Sequence, residues 1–213
     1  MAKKPSAALI DYGMGNLGSV ANALETVGFE VVRTSDPDVV QRCDSVVLPG
    51  VGAFGDAMKH LEELSLVDTL KREILDRKKP FLGICLGLQL LFERSYEFGE
   101  HKGLGIFEGE VLHFGDRVRK VPHMGWNEIH PKREHPVLKG LKEGDFFYFV
   151  HSYYVSPRRG DIVLTETDYD GFLFTSGVAR ENIVAFQFHP EKSQKKGLRL
   201  LENFKDFVLS REF

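Results

Sequence analysis

Short apolar runs alternate with stretches of helical periodicity through the first half of the chain. Apolar, partly β-branched runs at 7–11, 30–34, 45–48 and 81–84 predict four strands. The helical pattern predicts a helix capped by Asn16 that ends near Val27, one over 55–77 interrupted near 64–67, and one over 86–94. This alternation predicts an α/β fold with a mostly parallel central sheet flanked by helices.

The second half is richer in strands. Its apolar runs predict strands at 105–114, 146–154, 162–167, 172–178 and 183–188, which we expect to extend the sheet in mixed or antiparallel fashion. A final amphipathic helix is predicted at about 196–209, with Leu198, Leu201, Phe204 and Val208 on its apolar face. No Pro- or Ser-rich linker divides the sequence, so residues 1–213 are expected to form a single domain.

The composition argues against several classes of protein. Hydrophobic residues make up 42% of the 213 and charged residues 28%, a balance typical of a globular protein. The net charge of -3 argues against a nucleic-acid or membrane surface. No apolar run reaches membrane-spanning length, and the N-terminus lacks the apolar segment of a signal peptide. With only two cysteines, a reducing cytoplasm is the expected location.

The segment around Cys85 has the pattern of a nucleophile elbow. An apolar strand runs directly into a predicted helix, with Cys85 at the junction and Gly83 and Gly87 two residues to either side. Glycine allows the close backbone approach of so sharp a turn, and the free N–H groups of the helix starting at Leu86 would favour a thiolate. The alternative is that Cys85 is a small buried hydrophobe. For Cys43, which has no glycine frame, that structural interpretation is preferred.

A catalytic thiol needs a base, and His189 is the candidate. It follows the run at 183–188, and Pro190 and Glu191 come next. Residues i and i+2 of an extended chain share a side, so Glu191 could orient the imidazole while its other nitrogen faces Cys85. The alternative is a structural histidine beside a solvated carboxylate. No H-x-x-x-H or C-x-x-C spacing is present, and neither a metal site nor a cofactor is predicted.

Amide hydrolysis through a thioester also needs donors for a negatively charged oxygen. The elbow offers the N–H of Leu86. A second donor would come from the glycine-rich turn 49–52, which follows the strand predicted at 45–48. Val51 and Gly52 are both candidates, and the choice between them stays open. The alternative is that the turn is an ordinary connection.

Together these segments resemble the class I, or triad, glutamine amidotransferases. The similarity lies in PGVG at 49–52, GICLGLQ at 83–89 and QFHPE at 187–191. Within the family, IDYGMGNL at 10–17, PHMGWN at 122–127 and YFVHSYY at 148–154 are similar to the branch that serves histidine biosynthesis. Leu88, where many relatives carry His, fits the same branch. The motifs extend from residue 10 to about 196, nearly the whole sequence.

The resemblance implies a glutaminase with assigned roles at the matching positions. Cys85 would be the nucleophile, His189 the base and then the acid, and Glu191 the orienting carboxylate. The other implied roles are glutamine binding by Gln89, Tyr148, His151 and Ser152, and oxyanion stabilisation by Gly52 and Leu86.

The resemblance also implies a partner. Ammonia would pass to a (β/α)8-barrel cyclase subunit in a heterodimer, with Trp126, Asn127 and Lys196 at the interface. Trp126 could equally be a core aromatic, and an exposed ring would favour the interface. Glutaminase activity would stay low until the partner binds its ligand, with the turn 49–52 as the element that switches.

Three alternatives stay open at this point. The glutaminase could serve another branch of the family, in anthranilate, aminodeoxychorismate or pyridoxal phosphate synthesis. The chain could be a non-catalytic interaction domain of the same fold. It could also be a cysteine hydrolase of peptides or γ-glutamyl compounds.

Overall fold

A computed structural model describes residues 4–211, which form an α/β structure around one large mixed sheet. The strands are β1 (Ser6–Ile10), β2 (Glu30–Thr34), β3 (Ser45–Leu48), β4 (Phe81–Ile84), β5 (Phe92–Ser95), β6 (His101–Lys102), β7 (Phe107–His113), β8 (His123–Pro131), β9 (Asp145–His151), β10 (Tyr153–Pro157), β11 (Val163–Tyr169), β12 (Phe172–Arg180) and β13 (Ile183–Phe186). The α-helices are α1 (Leu17–Thr26), α2 (Pro37–Arg42), α3 (Phe54–Glu63), α4 (Leu66–Lys71), α5 (Leu86–Gln89) and α6 (Gln194–Ser210).

The sheet has a parallel half and a mainly antiparallel half. Its strand order is β2-β1-β3-β4-β13-β12-β10-β7-β5-β6, and the first five of these strands are parallel. Strand β11 joins the sheet through β12, and it also pairs with β8, which pairs with β9. Strand β13 comes late in the sequence but lies beside β4, so the residues that follow these two strands meet at one edge.

Apolar side chains are buried on both faces of the parallel half. Leu9 and Val47 belong to the cluster that packs against α1 and α6, and the neighbouring Ala8 and Val46 belong to the cluster that packs against α3 and α4. Side chains of a strand alternate between faces, so burial on both faces gives the continuous apolar runs seen in the sequence. Asn16 caps α1, as predicted, by accepting a hydrogen bond from the backbone N–H of Ser19.

Three predicted elements differ from the structure. The helix predicted over 86–94 ends at Gln89 and is followed by β5, because the carbonyl oxygens of Leu90 and Leu91 accept hydrogen bonds from the segment 104–107. The strand predicted over 146–154 is divided at Ser152 into β9 and β10. Strand β8 and the short helix α2 were not predicted, although Asp36 and Pro37 are a typical helix start.

Candidate active site

Cys85 lies at a strained corner between β4 and α5. Its backbone has φ 54° and ψ -108°, and its N–H donates to the carbonyl oxygen of Phe186 at the end of β13. A non-glycine residue with positive φ stores backbone strain that the surrounding structure must hold. The helix after Cys85 has a single turn, so any help that it gives the thiolate comes from local N–H groups rather than from a long helix dipole.

The glycines that flank Cys85 are required by close packing. A Cβ on Gly87 would lie 1.8 Å from the carbonyl oxygen of Leu48, and one on Gly83 would lie 2.8 Å from the Cβ of Ala185. Both distances are too short for a side chain, so the glycine frame seen in the sequence is needed to bring the elbow against its neighbouring strands.

His189 and Glu191 form a buried pair beside the elbow. Nδ1 of His189 lies 2.7 Å from Oε1 of Glu191, and the two side chains are 3% and 1% exposed. The predicted contact is present, but the extended chain assumed for it is wrong, because Pro190–Lys192 is a 3-10 turn. The turn is held in place by Ser193, whose hydroxyl donates to the carbonyl oxygen of His189 and accepts from the N–H of Tyr148.

The charges of this group favour an imidazolium. Burial opposes the charged form of His189, but Cys85 and the carboxylate of Glu191 outweigh it and raise the pKa of His189 to about 10. Nε2 of His189 is buried without a hydrogen bond of good geometry in the described part of the structure. It is therefore the nitrogen left to exchange a proton with the sulfur or with a substrate. Nδ1, which faces the carboxylate, carries the other proton.

A cleft of about 480 Å³ opens in front of the sulfur. Its walls include the predicted residues Val51, Gly52, Cys85, Leu86, Gln89, His151 and Ser152. Glu97, Phe98, Pro122 and Val150 also line it, and no role was predicted for them. Glu97 lies just after the segment where a helix was predicted, so its position depends on the turn back into β5 and could not be read from its neighbours.

The predicted oxyanion donors face the cleft, and one of them is occupied. The N–H of Leu86 donates to the carbonyl oxygen of Gly50 across 3.4 Å, a long contact. The turn is also held by Tyr12, whose buried hydroxyl donates to the carbonyl oxygen of Pro49 at 2.7 Å. Gly52 has φ 103°, which suits glycine, and Val51 is 40% exposed.

Tyr148 does not line the cleft, so that prediction is corrected. Side chains alternate along β9, and Tyr148 lies on the opposite face from the core residues Phe147 and Phe149. Its ring packs edge-on against Trp126, and the ammonium of Lys192 lies 5.7 Å from the ring centroid.

The residues predicted at a partner interface are divided between two faces. Trp126 is 46% exposed and shares a surface cleft with Lys196, whose ammonium pairs with the carboxylate of Asp145 at 2.9 Å. Asn127 follows Trp126 on β8 and points to the other side, where its amide donates to the carbonyl oxygen of Asp168. The alternation of side chains along the strand explains this separation.

Neither a metal site nor a membrane span is found within residues 4–211. In that range, no three His, Cys, Asp or Glu side chains form a group suited to a metal ion. None of the helices there is both long enough and apolar enough to cross a membrane.

Comparison with known proteins identifies the family. The family model for glutamine amidotransferase class-I matches residues 8–207. The imidazole glycerol phosphate synthase subunit HisH of Aquifex aeolicus is 64% identical over 198 residues, which cover 92% of this chain and 94% of the relative. The protein of the same name from Syntrophotalea carbinolica is 52% identical over 204 residues, covering 93% of this chain and 98% of the relative.

Solved structures confirm the predicted α/β class. The structure of PurLQS from Thermotoga maritima contains a chain with a TM-score of 0.77 and 19% identity, covering 97% of this chain and 100% of that chain. A putative GMP synthase protein from Thermoplasma acidophilum has a TM-score of 0.72 and 18% identity, covering 99% and 96%. At such low identity these likenesses concern the fold alone.

Proposed function

This chain belongs to the class I glutamine amidotransferases, and on that premise we propose that it is the glutaminase subunit of imidazole glycerol phosphate synthase, with Cys85 as its nucleophile. The observation that carries the proposal is the position of Cys85 on a strained elbow beside the buried pair of His189 and Glu191. A thiol next to an imidazole that is oriented by a carboxylate is the arrangement that cysteine nucleophiles need.

The reaction follows from these three side chains. The thiolate of Cys85 attacks the side-chain amide carbon of glutamine, and His189 gives its Nε2 proton to the departing nitrogen. The C–N bond breaks, ammonia leaves and a glutamyl thioester remains. Water that loses a proton to His189 then attacks the thioester carbon, so the C–S bond breaks and glutamate is released. The raised pKa of His189 supports the first step, because the proton is already present at neutral pH.

The cleft suits an amino-acid substrate. Of the described residues that line it, Glu97 alone carries a carboxylate, and one of its oxygens accepts the N–H of Phe54 at 2.8 Å. The other oxygen is available for the α-ammonium group of glutamine, which needs an acceptor once it leaves water. Ser152 and His151 form the opposite wall, where they would contact the rest of the substrate.

The partner is a synthase subunit, and we infer a (β/α)8-barrel cyclase bound as a heterodimer. An exposed apolar face supports this proposal: Met124, Trp126 and Phe146 are 62%, 46% and 49% exposed. Met124 pairs across the β8–β9 ladder with Val150, which lines the catalytic cleft. A partner seated there would close the cleft against water and receive the ammonia. The cyclase would join it to a phosphoribulosyl nucleotide to give imidazole glycerol phosphate and an aminoimidazole carboxamide ribotide.

The turn 49–52 gives a physical basis for activation by that partner. The carbonyl oxygen of Gly50 lies on the N–H of Leu86, one of the proposed oxyanion donors. A rotation of the turn would free this N–H and could present a second N–H from Val51 or Gly52. A partner that binds the rotated turn more tightly would shift the equilibrium towards it.

The test is a glutaminase assay with and without the cyclase and its nucleotide. Wild type should be stimulated strongly by the two together, and Cys85→Ala should be inactive under both conditions. Cys43→Ala, which changes the other cysteine, should behave as wild type. Equal wild-type rates with and without the cyclase, or stimulation by a chorismate-using enzyme instead, would contradict the proposal.

A further inference from the structure

Two buried amides connect the backbone of β10 to the sulfur of Cys85. Nε2 of Gln89 lies 3.1 Å from the carbonyl oxygen of Tyr153 and 3.1 Å from Oε1 of Gln187. Nε2 of Gln187 in turn lies 3.6 Å from Sγ of Cys85. Gln187 is fully buried and Gln89 is 5% exposed, so both amides are held away from bulk water.

The carbonyl oxygen of Tyr153 fixes the direction of each hydrogen bond in this series. A carbonyl oxygen only accepts, so the end of the Gln89 amide that faces it must be the NH2 group. The same NH2 group faces Gln187, and an amide nitrogen does not accept, so Gln187 must present its oxygen there. The NH2 group of Gln187 is therefore directed at the sulfur. This orientation follows from the partners alone and does not depend on telling oxygen from nitrogen in the side chain.

The contact with the sulfur comes from the buried side. Gln187 is absent from the walls of the cleft, whereas Cys85 and Gln89 form part of them. Gln187 thus touches the nucleophile without facing the space where glutamine would bind. Its loss should change the reactivity of the sulfur and leave substrate binding almost unaffected.

Several groups compete over the protonation of the sulfur. The carbonyl oxygen of Val150 lies 3.9 Å from Sγ, where it can accept the thiol proton. His189, backed by Glu191, favours the thiolate by opposite charge. Burial raises the pKa of Tyr12, and Cys85 raises it further, so this phenol stays neutral beside the sulfur. An N–H directed at the sulfur stabilises a thiolate more than a thiol, because hydrogen bonds to a charged acceptor are the stronger ones.

We propose that Gln187 is a positioning residue that holds the sulfur of Cys85 as a thiolate aimed into the cleft, and that Gln89 acts through it by fixing its amide. This inference deepens the proposed function and rests on Cys85 being the nucleophile. It also gives Gln89 a second task, since both protons of its NH2 group are directed at protein acceptors.

The test is the pH profile of alkylation by iodoacetamide, in which the sulfur displaces iodide and forms a thioether. The modified cysteine is identified by peptide mass spectrometry. In Gln187→Leu the midpoint of the profile should rise by about one to two pH units, the shift expected when one hydrogen bond to a charged group is lost. Gln187→Glu keeps an acceptor for Gln89 but turns an acceptor towards the sulfur, so its shift should be at least as large.

Further measurements separate a positioning role from a structural one. Gln89→Met frees the Gln187 amide without removing it and should give a smaller shift than Gln187→Leu. For glutamine turnover with the partner present, kcat should fall about tenfold or more in Gln187→Leu at neutral pH, because a shift of one unit reduces the thiolate tenfold. KM should change by less than about twofold, since Gln187 does not face the substrate.

Asn203 offers a matched control for the loss of a buried amide. Its NH2 group donates to the carbonyl oxygens of Val137 and Lys139 at 3.0 and 2.7 Å, and it is 4% exposed. Asn203→Leu should lower the unfolding temperature while leaving the alkylation profile of Cys85 unchanged. If Gln187→Leu does not fold, Gln187→Glu and Gln89→Met carry the comparison.

The outcomes distinguish this inference from the proposed function. Unchanged profiles in the Gln187 variants, with Cys85 still required for glutaminase activity, would overturn the inference alone. Alkylation of wild-type Cys85 that leaves glutaminase activity intact would overturn the proposed function. A shift as large in Asn203→Leu as in Gln187→Leu would also overturn the inference, because the effect would then be a general one of destabilisation.

Discussion

The backbone N–H of Leu86 donates to the carbonyl oxygen of Gly50, with 3.4 Å between nitrogen and oxygen. The donor that would stabilise the oxyanion is thus shared with the turn 49–52. The turn is fitted closely at this point, because a Cβ on Gly50 would lie 2.3 Å from the hydroxyl of Tyr12 and 2.9 Å from the Cβ of Leu86. Activation therefore requires the turn to move against Tyr12 as well as away from Leu86.

Tyr12→Phe should raise the glutaminase rate measured without the partner. The substitution removes the hydrogen bond to Pro49 that holds the turn, and the loss of one buried hydrogen bond is worth a factor of about two to ten in an equilibrium. Stimulation by the cyclase and nucleotide should shrink by a similar factor. An unchanged basal rate with unchanged stimulation would show that Tyr12 does not restrain the turn.

Glu97→Gln should raise KM for glutamine by about ten- to a hundredfold, the effect expected when a charge-assisted hydrogen bond to the α-ammonium is lost. Iodoacetamide carries no ammonium group, so the rate at which it alkylates Cys85 should not change. Steady-state kinetics and alkylation rates measured on one preparation check both statements. An equal fall in both would indicate that Glu97 supports the sulfur rather than the substrate.

Trp126→Ala should weaken binding of the cyclase, because the exposed ring lies on the apolar face proposed for the partner. Buried aromatic anchors of interfaces cost about 2 kcal/mol or more when truncated. Leu209→Ala is the matched control, since Leu209 is 57% exposed at the end of α6. Calorimetric titration compares the two, and equal affinities for both variants would place the interface elsewhere.

The buried histidine pair should make the fold sensitive to acid. Nδ1 of His123 lies 2.9 Å from Nε2 of His151, whose Nδ1 lies 2.8 Å from the carbonyl oxygen of Tyr153. Burial lowers the pKa of His123 to about 4, and burial together with the neighbouring His123 lowers that of His151 to about 3. Below the ordinary pKa near 6.5 the unfolded chain takes up protons first. Stability is therefore complete above that value and falls as the pH drops towards about 4.

His123→Gln tests this acid sensitivity. The change removes one titrating group but keeps an N–H donor for His151. Between about pH 6.5 and pH 5, wild type should lose up to about 1.4 kcal/mol more of its unfolding free energy than the variant for each pH unit. Urea unfolding at a series of pH values gives this difference. Parallel curves for the two proteins would contradict it.

The features that sequence could predict are those set by neighbouring residues. The strands at 30–34, 45–48 and 81–84 have the predicted bounds, because strands buried on both faces are continuous apolar runs. The elbow was visible for a similar reason, since the close approach around Cys85 needs glycine at two fixed positions. The predicted family is likewise confirmed by the match over residues 8–207.

The features that sequence could not predict depend on contacts between distant segments. Leu90 and Leu91 suit a helix, but their carbonyl oxygens are taken by the backbone of 104–107. The pairing of His189 with Glu191 was predicted from the wrong backbone conformation, and the correct one is a 3-10 turn. The amide of Gln187 reaches the sulfur only because Gln89, 98 residues earlier, fixes its orientation. No local pattern contains that information.

The most direct measurement of the central claim is peptide mapping after incubation with a diazo-ketone analogue of glutamine, in the presence of the partner and its nucleotide. We predict one adduct per chain on the peptide that contains Cys85, no adduct on Cys43, and a loss of glutaminase activity proportional to the modified fraction. An active protein with Cys85 fully modified, or an inactivated one with Cys85 unmodified, would contradict the account.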